Sequence, residues 1–153
     1  MFCAATVVVT TPVLDVWRPR DQHISPAETL APSAALGQHP EVFRGRDMLW
    51  FVDNESACST LVRGASSQED VAGIAECTHL VVMALGCRIW WEWVDTKANP
   101  SDGLSRDGLQ CPRYGARAVE AKLPDWHVMQ FNARRFEAIH STYGLDRTLD
   151  EWF

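Results

Sequence analysis

Apolar and polar positions along the chain switch between a period of two and a period near 3.6, and the switches mark out its elements. Residues 2–10 (FCAATVVVT) are rich in β-branched side chains, and residues 13–17 repeat that character after the break at Thr11 and Pro12. The pattern predicts two adjacent strands forming an antiparallel hairpin. Ser25, with Pro26 next and Glu28 three positions on, has the spacing of a capped helix start. Ile24, Ala27, Leu30, Ala31, Ala34 and Ala35 share one face of that helix, Pro32 should kink or shorten it, and Gly37 ends it. Residues 48–52 (MLWFV) read as a buried strand, and the stretch NESACSTLVRG as a short helix closed by Gly64. Val71, Ile74, Ala75, Leu80, Val81, Ala84 and Leu85 then recur at helical spacing. Residues 88–94 (RIWWEWV) alternate and are aromatic enough to be a strand. A helical crossover of about thirty residues joins this strand to residues 48–52, which predicts parallel pairing. Residues 95–108 carry turn chemistry around Pro100, Asp102 and Gly103. Beyond residue 110 the pattern loosens, leaving one amphipathic helix at about 132–140 and a tail that reads as flexible or partner-dependent.

Composition narrows the class. With 153 residues, 46% apolar and 22% charged, the chain has material for one ordinary core. Its formal net charge of -6 argues against attachment to nucleic acid by bulk charge, though a local basic strip remains open. The five cysteines are odd in number and show no CxxC or Cys/His ligand spacing, so neither a disulfide framework nor a zinc site is indicated. A reducing, intracellular setting, cytoplasm or nucleus, is the expectation. Residues 1–14 are apolar but lack a basic leader region, and read as an interior strand. The apolar run at residues 80–87 stops at Arg88, short of the roughly 20 residues a membrane-spanning helix needs, so no membrane partner is expected.

Candidate chemistry comes from three acids at element ends: Glu28 on the first long helix, Asp53 just past the strand at residues 48–52, and Asp102 in the loop after the aromatic strand. Carboxylates gathered at one sheet edge repel unless cations lie between them, and hard oxygen ligands suit Mg²⁺ or Mn²⁺. The words ISPAE, WFVDNESACSTLVRG and WWEWVDTKANPSDGLSR, in that order, resemble the ribonuclease H-like domain of retroelement reverse transcriptases of the tyrosine-recombinase and related type. The resemblance covers roughly residues 1–106.

That resemblance implies an α/β fold, a ribonuclease H-like mixed sheet with flanking helices. It implies two-metal hydrolysis of the RNA strand of an RNA/DNA hybrid, with Glu28, Asp53 and Asp102 as catalytic acids and ligands of two Mg²⁺ or Mn²⁺ ions. The three carboxylates should then converge within about 4 to 8 Å of a common point, since paired ions lie about 4 Å apart. The family's first strand, with a further acid, has no counterpart ahead of Ser25, so the domain reads as N-terminally truncated and weak or inactive as it stands. Asp15 lies 28 - 15 = 13 residues before Glu28, too few for two strands and their turns. The family's loop histidine is also missing, with Lys97 nearest. Asn54, Arg63 and Lys97 are the candidates for contacting nucleic acid. The expected partners are the hybrid or another nucleic acid and the rest of a reverse transcriptase polyprotein. The domain is placed at residues 1–108, and residues 109–153 are an extension, partly helical or flexible.

Each candidate has a plainer reading. Glu28 could cap its helix, Asp53 and Asn54 could end a strand and cap the next helix, and Asp102 could be a turn residue or N-cap. Trp90, Trp91 and Trp93 fit core filling better than a base-stacking platform, because neighbours on a strand face opposite ways. Arg63 and Lys97 could be solvated surface, and His79 a packed or exposed helix residue. A non-catalytic scaffold of the same fold, binding nucleic acid or protein, is the alternative function.

Overall fold

A computed structural model describes residues 4–113 and 118–144. The elements are β1 (Ala4–Val7), α1 (Thr11–Leu14), α2 (Ile24–Gln38), α3 (Pro40–Phe43), β2 (Asp47–Val52) and α4 (Glu55–Arg63). They continue with α5 (Glu69–Leu85), β3 (Arg88–Trp93), α6 (Asp102–Asp107), β4 (Ala118–Ala121) and α7 (Ala133–Tyr143). The architecture is α/β.

The strands form two parallel pairs, β1 with β4 and β2 with β3. The predicted parallel pairing of residues 48–52 with the aromatic strand is observed, with Leu49 opposite Trp90 and Trp50 opposite Trp91. A single mixed sheet is not: among the described residues no strand pairs antiparallel. The predicted hairpin is replaced by a helical turn. Pro12 sits in the first turn of α1, where its missing N–H costs nothing, and Val13 and Trp17, four positions apart, both turn inward. There they pack with Leu30, Ala34 and Ile74, so burial at helical spacing overrides the β propensity of this stretch. Residues 2 and 3 of the predicted first strand, and the predicted tail at residues 145–153, lie outside the described residues.

Local rules explain the elements around β2. Asn54 caps α4 by accepting a hydrogen bond from the Ala57 N–H at 2.9 Å. Gly64 closes α4 with φ 65°, a left-handed conformation that glycine adopts without strain. Helix α5 runs through the middle of the molecule. Its buried Cys77, Val81 and Leu85 meet Leu36 of α2 and Ile139 and Tyr143 of α7, together with Trp126. Side chains such as Leu36, Leu85 and Ile139 each contribute about 2 kcal/mol by leaving water. Residues beyond 108 thus share the core with the central helix. A second group of Val52, Ala57, Cys58 and Leu61, with Trp50 and Trp91 against it, fastens α4 to the inner face of β2 and β3.

One close approach fixes how α5 sits. A Cβ on Gly73 would stand 2.4 Å from the Phe131 ring, so only glycine lets that ring lie on the helix backbone. At the start of α5, Asp70 is buried and held by the Arg20 guanidinium and by the Arg18 N–H at 2.9 Å. Burial pushes its carboxyl up, but these bonds outweigh it and hold the group below the usual aspartate range.

Candidate functional site

Two of the three predicted acids come together. Asp53 follows the last residue of β2 and is half-buried, delivered to the carboxyl end of a parallel strand, where open α/β sheets place ligands. Glu28 lies in the second turn of α2, also half-buried. Its carboxyl is pushed above the usual glutamate range, first by burial and then by the charge of Asp53 nearby. No Lys, Arg or His forms an ion pair with either carboxylate among the described residues.

The capping role open to Glu28 is not what α2 uses. The helix begins one residue earlier than Ser25, its N-cap is His23, and the Ser25 carbonyl instead accepts from the Thr29 hydroxyl at 2.8 Å. Pro32, inside α2, neither ends nor shortens the helix, which runs on past Gly37 to Gln38. Having no N–H, Pro32 leaves the Glu28 carbonyl, four residues back, without its intrahelical donor. Residue 28 therefore offers both a carboxylate and a freed backbone oxygen, a consequence of Pro32 that the sequence pattern contained and the cap reading obscured.

Asp102 stands apart in its chemistry. It opens α6, where the sequence reads as a loop, and its carboxylate pairs with Arg106 at 3.1 Å, one helical turn on. Among the described residues no group of three Asp, Glu, His or Cys side chains is placed to hold a metal ion. Glu28 and Asp53 have the donor chemistry that one hard cation prefers, whereas a site for two ions is not assembled by these side chains. A cation bound by the pair would remove the Asp53 repulsion that, after burial, raises Glu28.

The predicted nucleic-acid contacts are dispersed. Asn54 is committed to the α4 cap, Arg63 is exposed in the last turn of α4, and Lys97 is exposed in a short 3-10 turn whose backbone folds onto Asp95. The three tryptophans divide. Trp91 faces inward with its ring 5.8 Å from that of Trp50, while Trp90 is 69% exposed, so core filling does not describe Trp90. His79 is part of the α4–α5 packing, its Nε2–H donating to the Leu61 carbonyl at 2.8 Å. It also lines an open cleft of about 480 Å³ between α5 and α7 with Glu76, Leu80, Met83, Phe136 and His140. The helical stripe of Glu76, His79, Leu80 and Met83 was visible in the sequence. The partner helix α7 was also predicted, at residues 132–140, but its packing against α5 was not.

No protein-family model, curated protein or solved structure matches the chain.

Proposed function

We propose that the chain is a ribonuclease H-like nucleic-acid-processing domain of retroelement type, and that Glu28 and Asp53 are the part of a hydrolytic centre it carries. What supports this reading is the electrostatic coupling of those two half-buried acids, one on a helix and one at the carboxyl end of a parallel strand, with no ion pair to either among the described residues. The substrate class is the RNA strand of an RNA/DNA hybrid, and the ion the pair would take is Mg²⁺ or Mn²⁺. The pairing of Asp102 with Arg106 supports a second element of the proposal: as it stands the chain cleaves a hybrid weakly or not at all. The same ion pair favours the other reading, a non-catalytic scaffold of this fold that binds nucleic acid or the remainder of a reverse transcriptase polyprotein.

Incubating the purified chain with a labelled hybrid in Mn²⁺ separates the two. The expected result is feeble or absent cleavage, and Asp53-dependent cleavage when an Asp-bearing strand is fused upstream. Continued absence of cleavage in every such fusion would overturn the enzymatic reading in favour of the scaffold.

A further inference from the structure

Parallel strands are found almost only where both faces of their sheet are covered, and the β2–β3 pair departs from that rule. Its inner face, with Met48, Trp50, Val52, Ile89 and Trp91, lies on the helices. The outer face carries Asp47, Leu49 and Phe51 from β2 beside Arg88, Trp90 and Glu92 from β3, all exposed. Leu49 is 58%, Phe51 51% and Trp90 69% exposed. On side-chain areas of about 200 Å² each, these three leave roughly 350 Å² of contiguous apolar surface in water.

We propose that this face is the contact surface of a reversible homodimer, two copies packing sheet on sheet about a two-fold axis parallel to the strands. The charge pattern selects a second copy as the occupant. Asp47 and Arg88 are register partners on neighbouring strands, as are Leu49 and Trp90. A two-fold axis running between β2 and β3 sets β2 of one copy over β3 of the other at the same height. Asp47 then faces Arg88 of the second copy, Arg88 faces its Asp47, and Leu49 and Trp90 cover one another in the same reciprocal way. Within one copy Arg88 already holds Asp47 through Nε at 2.6 Å and Nη2 at 2.8 Å, and both side chains stay largely exposed. The second copy completes an alternating square of four charges beside the apolar patch. Phe51 lies over the stem of Glu92, whose carboxylate turns aside to the Trp90 Nε1–H at 3.3 Å. The area is below that of a standard stable interface, so the dimer is weak and reversible. The inference does not rest on the function proposed for Glu28 and Asp53.

Sedimentation equilibrium from about 1 to 300 μM tests it, with circular dichroism checking each variant for native fold. The wild-type chain is expected to show a monomer–dimer equilibrium that Trp90→Ser weakens at least tenfold. Asp47→Arg alone and Arg88→Asp alone should each stay monomeric, because each puts like charges across the axis. An equimolar mixture of these two variants should associate, because one copy then presents two arginines and the other two aspartates. A wild-type chain monomeric throughout the range would overturn the proposal. So would dimerisation of the single reversals at wild-type strength, or a mixture that fails to associate.

Discussion

Acidifying the solution should destabilise this protein through one histidine. His127 is almost wholly buried, its ring stacks on Trp126 with centroids 3.5 Å apart, and neither ring nitrogen has a hydrogen-bond partner among the described residues. Burial, and then the nearby Arg135 guanidinium, push its pKa down from 6.5 to about 3. The sign follows from proton counting: below pH 6.5 the unfolded chain takes up a proton that the folded chain refuses until about pH 3. Stability contributed by the neutral ring is therefore present above pH 6.5 and lost as pH falls towards 3. At pH 5 the loss is about 2 kcal/mol, set almost entirely by the unfolded-state value. For a chain of this size it corresponds to roughly 7 °C in Tm. Two other groups act in the same range or below. Glu28, raised in the folded state, gains stability as pH falls, and Asp70, lowered, loses its contribution only in stronger acid. Comparing wild type with His127→Phe isolates the histidine, because the variant keeps an aromatic ring on Trp126 and cannot take a proton. Urea unfolding at pH 7.5 and pH 5.0 should show wild type losing about 2 kcal/mol more than the variant between the two conditions. Identical pH dependence in the two proteins would refute the reasoning.

Other perturbations test separate parts of the account. Asp53→Asn removes the charge nearest Glu28, so the Glu28 carboxyl should titrate lower by carbon NMR while staying above the usual glutamate range, since burial persists. Asp70→Asn breaks a pair whose aspartate is 3% exposed, and urea unfolding at pH 7 should show a loss of about 3 kcal/mol. Gly73→Ala drives a methyl into the Phe131 ring, which should cost about 1–3 kcal/mol and shift the Phe131 ring resonances.

The middle of the chain was legible because its signals are local and agree with one another. Asn54 caps α4, Gly64 and Gly86 end α4 and α5 in the left-handed conformation, and the long connection between β2 and β3 makes their pairing parallel. The N-terminal region misleads because its β-branched residues suit a strand, while Val13 and Trp17 are used at helical spacing against α2 and α5. The strand Ala118–Ala121 could not be seen, since AVEA has little strand character and is extended only by pairing with β1. At the site, Asp53 was readable as the end of an apolar run. The partner of Asp102 was readable too, as Arg106 lies four positions on in a helix, but a motif reading looks for other acids and passes over a neighbouring base. The coupling of Glu28 to Asp53 depends on packing between α2 and α4, the helix that follows β2, a long-range fact that no local pattern encodes.

Divalent-cation binding by isothermal titration tests the central claim most directly, since it reads the Glu28–Asp53 pair whether or not hydrolysis occurs. Mn²⁺ should bind at millimolar concentrations or below, with binding lost in both Glu28→Gln and Asp53→Asn and retained in Asp102→Asn, whose carboxylate belongs to Arg106. Absence of binding in the wild-type chain, or binding that survives both Glu28→Gln and Asp53→Asn, would contradict it.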